Sequence, residues 1–425
     1  MASDARAGRK PARLLVLVLG VAALVTLAAV FLGTRISASQ AAPEELSDAE
    51  LLARVALAAD DPPEFGATVT VEQELVPTQL LDSMAGGAES GPALASAPRT
   101  ARVWYGGEDR ARADLLGENG DKVFVKDGEK VSFYDGATNT LRAGRADGDP
   151  RPEETGEAVS PAEVDKMLAK LGETSNLDQA EPTTLEGRGA HVLTLTPKQP
   201  NSTLVSRAQA LVDSETYLPL RFLLFADGRE EPVLSYEVSG FDPGPVPAER
   251  FELQTPPGAE VLPLKPDREH PEFRAPNGER EGGPAGGVRE VAGVGKARES
   301  VNFGVRRLGE VPGERSLEGT YLTPGGGVVL AYGSGWGTIV LSQEPGEGAA
   351  TPQAIPGAAI PEGGEMGGTG DALQLPTVDL GGGVEAREFS TPVGTALVWS
   401  DNGVSYALAG SIPAPELERA ARGLR

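Results

Sequence analysis

The chain has 425 residues, with 38 Lys+Arg against 62 Asp+Glu and a formal net charge of -24. A nucleic-acid binder needs the opposite field, so DNA and RNA are disfavoured as partners. The absence of cysteine excludes disulfide scaffolds, thiolate zinc sites, iron-sulfur clusters and cysteine nucleophiles, and two histidines, His191 and His270, leave little for metal or general-base chemistry. Nothing in the composition asks for a cofactor.

Residues 1–13 carry Arg6, Arg9, Lys10 and Arg13 against one acid, Asp4, and precede 19 uncharged residues from Leu14 to Leu32. That length spans a hydrocarbon core of about 30 Å as a helix, and the basic flank keeps the N-terminus cytoplasmic. The expectation is a single membrane anchor at 14–32 with the remainder extracytoplasmic; a cleaved signal segment, with small residues at Ser37-Ala38-Ser39, is the competing reading. After a linker at 33–46, Ser47-Asp48-Ala49-Glu50 forms a capping box, which predicts a helix through Leu51, Leu52, Val55 and Leu57.

The period then changes to two. Val69 and Val71, Ala101, Val103 and Tyr105, Val123 and Val125, and Val131 and Phe133 alternate with polar or outward residues, and Asn119-Gly120, Asp127-Gly128 and Asp135-Gly136 supply hairpin chemistry between them. A second capped helix starts at Ser160 and places Val164, Met167, Leu168 and Leu171 on one face. Strands resume at Leu193 and Leu195, at Leu218, Leu220, Phe222 and Leu224, and at Leu234, Tyr236 and Val238, with Asp227-Gly228 as a further turn. About eight strands and at least two helices make an α+β domain from 47 to 263: an antiparallel, curved half-barrel sheet with helices as its apolar cover.

Residues 264–287 lack hydrophobic periodicity and read as a linker. A smaller, β-rich α+β domain is expected over 288–425, with strands at 327–332, 337–341, 395–399 and 404–408, a low-complexity loop at 345–370 and a closing helix near 415–423.

Residues 50–75 (ELLARVALAADDPPEFGATVTVEQEL) resemble the first helix and strand of the LolA-like superfamily, which includes the lipoprotein carriers and the N-terminal domain of the MucB/RseB regulators. The stretch 212–242 (VDSETYLPLRFLLFADGREEPVLSYEVSGFD), followed by Phe251 and PPGAEV at 256–261, is similar to the closing strands of that superfamily. Residues 332–343 and 397–424 resemble the small C-terminal domains of MucB/RseB and of anti-sigma-associated envelope proteins. The low-complexity insert and the anchor depart from the carrier pattern, and an anchored protein cannot shuttle between membranes.

The resemblance implies a non-catalytic protein that holds a lipid or lipoprotein acyl chain against its apolar strand faces, or alternatively a regulatory module that binds a membrane anti-sigma factor. The candidate lining is Val69, Val71, Val103, Tyr105, Val123, Val125, Phe133, Leu193, Leu220, Phe222 and Tyr236, with Leu52, Val55, Met167 and Leu168 from the helices. The same residues also fit an ordinary filled core.

Catalytic patterns are weak. His191 shares strand parity with Leu193 and Leu195 and reads as a core histidine, no G-x-S-x-G occurs, and Gly293-Val294-Gly295-Lys296 lacks the rest of a phosphate loop. Glu72, Glu74, Asp109 and Asp114 read as a solvated sheet face.

Overall fold

The computed structural model describes residues 46–60, 62–75, 99–117, 120–145, 169, 171–264, 289–323, 325–346 and 375–425. The expected anchor, the body of the second capped helix, the 265–287 linker and the low-complexity loop lie outside them. No described helix is long and apolar enough to cross a membrane.

The described chain opens with helix α1 (Asp48–Asp60). Its capping box forms as the sequence predicts: the Glu50 amide donates to Ser47 Oγ at 3.3 Å, and the Ser47 amide donates to Glu50 Oε2 at 3.0 Å. Those bonds from Ser47 hold the Glu50 carboxyl below the usual carboxylate range.

Six strands follow in a meander, β1 (Phe65–Gln73), β2 (Arg99–Tyr105), β3 (Arg110–Leu115), β4 (Lys122–Asp127), β5 (Lys130–Asp135) and β6 (Thr140–Arg145). A second meander contains β7 (Ser175–Leu185), β8 (Arg188–Pro197), β9 (Val205–Asp213), β10 (Pro219–Ala226) and β11 (Pro232–Pro243), and the short β12 (Glu260–Pro263) completes the set. The sheet order is β12-β6-β5-β4-β3-β2-β1-β11-β10-β9-β8-β7. The two meanders therefore join where β1 pairs with β11, antiparallel, with Val69 opposite Val238. β12 runs parallel to β6, which makes the twelve-stranded sheet mixed and not purely antiparallel.

The turns use positive φ where the sequence offers Gly or Asn: Gly128 at 58° and Gly228 at 71° close two of the expected hairpins. Several strands escape sequence reading. β7 is mostly exposed and polar, with Glu181 and Pro182 near its middle, so it shows no apolar alternation.

The second sheet has eight strands, β13 (Arg289–Glu290), β14 (Leu317–Leu322), β15 (Val328–Tyr332), β16 (Ile339–Pro345), β17 (Thr377–Gly381), β18 (Val384–Thr391), β19 (Gly394–Asp401) and β20 (Val404–Gly410), in the order β13-β14-β15-β16-β20-β19-β18-β17. Helices α2 (Gly293–Ser300) and α3 (Ala414–Arg422) contribute Ala297, Leu417, Ala420 and Ala421 to one continuous core with Leu330, Ile339, Leu341, Leu397, Tyr406 and Leu408. The glycine-lysine run at 293–296 is thus the first turn of a helix.

The chain divides into two compact units, one taking residues 1–195, 208–224 and 232–272, the other 196–207, 225–231 and 273–425. Both are β-rich, and helices are few among the described residues. The expectation of α+β domains is corrected to a mostly β architecture, because the helical segments are short and strands of low hydrophobicity, such as β7 and β18, add to both sheets.

Candidate functional site

Register assigns each strand residue to a face, since directly opposed residues share a side. Across β2 to β5 one row reads Val103, Ala113, Phe124 and Phe133. It continues through Ala67 and Val69 of β1 to Val238 and Tyr236 of β11. Val69, Ala190, Val192, Leu211, Leu220 and Val238 belong to one apolar cluster, against which Phe65, Val71, Val103, Tyr236 and Phe241 pack while keeping part of their surface open. Burial pushes the Tyr236 phenol up to about 12.

At one end of this face aromatic and charged groups meet. The Phe65 ring lies 5.9 Å from Tyr105 and 5.6 Å from Phe241, and the Arg188 guanidinium stands 5.4 Å from the Phe241 centroid. Arg188 donates to Asp213 Oδ1 at 2.7 Å, to Asp213 Oδ2 at 3.0 Å and to Glu215 at 2.7 Å. Asp213 has no exposed side-chain surface and also accepts from the amide and hydroxyl of Thr216, each at 2.8 Å. Burial alone would raise its carboxyl, but the bonds from Arg188 and Thr216 outweigh that and hold it below the usual range. The hydrogen bond to Asp213 raises Arg188 against the opposing effect of burial.

These contacts also report on shape. The β7–β8 turn residue Glu186 accepts from the Gly240 amide at 2.7 Å, and Arg188 of β8 reaches Phe241 of β11. In a flat sheet, strands three positions apart stand about 14 Å from each other. The sheet therefore curls toward the face that carries Arg188, Phe241 and the apolar cluster, which is its inner face.

The opposite face is covered in two places. Helix α1 lays Leu51 and Val55 on Leu193 and Val212, with Leu52 and Tyr217 at the margin. Val123 and Val125 pack with Val246 and Phe251, with Trp104 and Tyr134 beside them. Arg112 and Arg250 both lie over the Trp104 ring, at 5.5 and 5.2 Å, and Arg112 pairs with Asp114 at 2.7 Å. Asp114 is thus an ion-paired, largely covered group, not part of a solvated face.

The residues expected from sequence to share one lining accordingly divide. Val69, Val71, Val103, Tyr105, Phe133, Leu220 and Tyr236 occupy the inner face, and Phe222 joins them by parity with Leu220 on β10. Val123 and Val125 do not: Phe124 holds the inner position on β4, a strand buried on both sides whose alternation is therefore ambiguous. Leu52, Val55 and Leu193 belong to the outer face beneath α1, because odd-numbered residues of β8 point away from Ala190 and Val192. Met167 and Leu168 lie outside the described residues. Sequence reading missed Phe65, Phe241, Arg188 and Asp213; the run Asp213-Ser214-Glu215-Thr216 is a turn signature that points to the last of these.

His191 is 5% exposed on the outer face, near Arg54 and away from any carboxylate partner at hydrogen-bond distance. Its placement does not match a general base. Among the described residues, no group of His, Asp and Glu is arranged to hold a metal ion.

No protein-family profile matches the chain, and no curated protein does. Solved structures do. The Pseudomonas aeruginosa MucA/MucB complex aligns at 16% identity and a TM-score of 0.40 over 89% of this chain and 98% of that one. Lipoprotein LppX of Mycobacterium tuberculosis aligns at 13% identity and 0.25 over 47% and 99%, and a LolA-superfamily protein of Nitrosomonas europaea at 10% and 0.18 over 45% and 90%. The chain is similar in structure to MucB over most of its length and to LolA-superfamily proteins over about half.

Proposed function

We propose that this chain is a non-catalytic, membrane-anchored protein of the cell envelope with a MucB/RseB-like regulatory layout: a curved half-barrel over 47–263, followed by a module at 288–425 that binds a membrane anti-sigma factor. The observation that carries the reading is the contrast between the units. The second has a filled, continuous core, with Leu330, Ile339, Leu341, Leu397 and Leu408 fully buried, so it contributes through its surface and not through a cavity. A protein whose only task was to hold an acyl chain would need the first unit alone. The uncharged run Leu14–Leu32 supports anchoring beside a membrane partner. Capture from detergent-solubilised membranes tests this: the full chain recovers an anti-sigma factor, and a chain truncated after residue 287 loses it. Equal recovery by both, or by neither, overturns the assignment.

A second reading is favoured by the inner face of the first sheet. There Phe65, Val71, Val103 and Tyr236 keep apolar surface open on a sheet that curls toward them. Each methylene of an acyl chain buried against them contributes about 0.8 kcal/mol, and the Tyr236 hydroxyl offers one polar handle. Organic extraction of the purified chain followed by mass spectrometry should yield a lipid, and a fluorescent fatty acid should bind. Failure of both sinks the lipid reading and leaves the anti-sigma reading standing.

A further inference from the structure

Helix α1 is held to the outer face by an apolar cluster, and a buried histidine stacks at its edge. Leu51 and Val55 supply its apolar contact with Leu193 and Val212. Beside them Arg54 donates to the Tyr217 hydroxyl at 2.5 Å and stands 5.1 Å from that ring's centroid. The Tyr217 ring in turn stacks on His191 at 6.3 Å between centroids and 12° between planes. Tyr217 takes a φ of 59°, a left-handed conformation that a bulky residue rarely adopts. In that conformation the ring meets His191 of the sheet on one side and Arg54 of the helix on another.

His191 is buried, with Nδ1 3.4 Å from the Gln179 amide nitrogen of β7. Burial and then the positive charge of Arg54 keep its imidazole below the usual value of 6.5, and only Asp213 of β9 pulls the other way. Asp213 is already committed to Arg188 and Thr216. Among the described residues, Arg54 and Asp213 are the charged groups that act on the ring.

We propose that His191 is an acid-sensitive latch for helix α1: a proton on the imidazole places a second cation beside Arg54, breaks the His191–Tyr217–Arg54 arrangement and releases the helix, baring Leu51, Val55, Leu193 and Val212. The sign follows from linkage. Because the folded protein binds this proton less readily than the unfolded chain, the contribution is whole above about pH 6.5 and declines as pH falls below it. The cap does not share that window, since Glu50 is held below the usual carboxylate range, and neither does Asp213.

Hydrogen exchange of residues 48–60 in the full chain, corrected for the intrinsic effect of pH, is the test. Opening of α1 should increase severalfold between pH 7.5 and pH 5, in the direction set by an imidazole that binds its proton less readily in the folded chain. His191→Phe keeps a ring to stack on Tyr217 but cannot titrate, and its exchange should not depend on pH. Unchanged protection in the parent chain, or the same acid response in His191→Phe, overturns the proposal. Should that variant not fold, the imidazole signals of the parent chain decide: the His191 titration and α1 opening must share one pH range, and a His191 that titrates while α1 stays closed also overturns it.

Discussion

The two sheets are made from similar strands but use their apolar residues differently. In the second unit, strands β15, β16, β19 and β20 and both helices feed one cluster, and its largest side chains have almost no exposed surface. In the first, apolar residues spread over three smaller clusters on two faces, and many members remain half open. The difference teaches that one continuous core and several divided, partly exposed clusters can share alternation, hairpin chemistry and residue types. Among the described residues, what separates them is that the second sheet gathers its apolar residues in one cluster with both helices, whereas the first divides its apolar residues between two faces.

Mutations should break this contrast in a definite order. The largest effect is expected from Arg188→Ala, which strands the buried Asp213 carboxylate and should cost about 3–5 kcal/mol in urea unfolding of the first unit. The loss from that pair should also appear on acidification: with Asp213 held below its ordinary value, the contribution is present above about pH 4 and declines as pH falls further.

Next comes Leu408→Ala in the filled core of the second unit, at about 2–5 kcal/mol, read as a lower melting transition. The corresponding truncation on the inner face of the first sheet, Val71→Ala, should cost less than about 1.5 kcal/mol because the side chain is only partly covered; under the lipid reading its effect should show in fatty-acid uptake. Equal losses at Leu408 and Val71 would erase the distinction between the two interiors. Smallest is Ser47→Ala, which removes one side of the capping box and should lower stability by about 1 kcal/mol, visible as faster exchange in the first turn of α1.

Much of the fold was legible where local chemistry is decisive. The capping box at Ser47 and Glu50, the hairpins at Gly128 and Gly228 and the strand runs β15, β16, β19 and β20 all follow from patterns of four to seven residues. Legibility ended where a strand is buried on both sides or on neither. Lys122–Asp127 has three consecutive covered residues, so parity selected Val123 and Val125 for the lining when register puts Phe124 there. β7 is mostly polar and exposed, and its few apolar residues do not alternate.

The same limit applies to the site. Val69, Val103 and Tyr236 could be read from alternation, whereas the Arg188–Phe241 contact depends on strands three positions apart curling together, and the Arg188–Asp213 and Phe65–Phe241 contacts depend on the register of neighbouring strands. Helix α1 was foreseen, but the face it covers was not, because amphipathicity says that a helix packs without saying on which side of a sheet.

The seam between β1 and β11 has a kinetic consequence. Each meander on either side of it is a run of sequentially paired strands, and apart from the long β1–β2 connection they close through short loops. The seam instead matches Val69 with Val238, and such non-local pairing forms slowly. Until β11 emerges from synthesis, the first strand lacks the neighbour that covers its other edge, and the nascent half-sheet presents unpaired amides and carbonyls to whatever is nearby. That edge is covered only when residues 232–243 arrive, so their delivery sets how long it stays open.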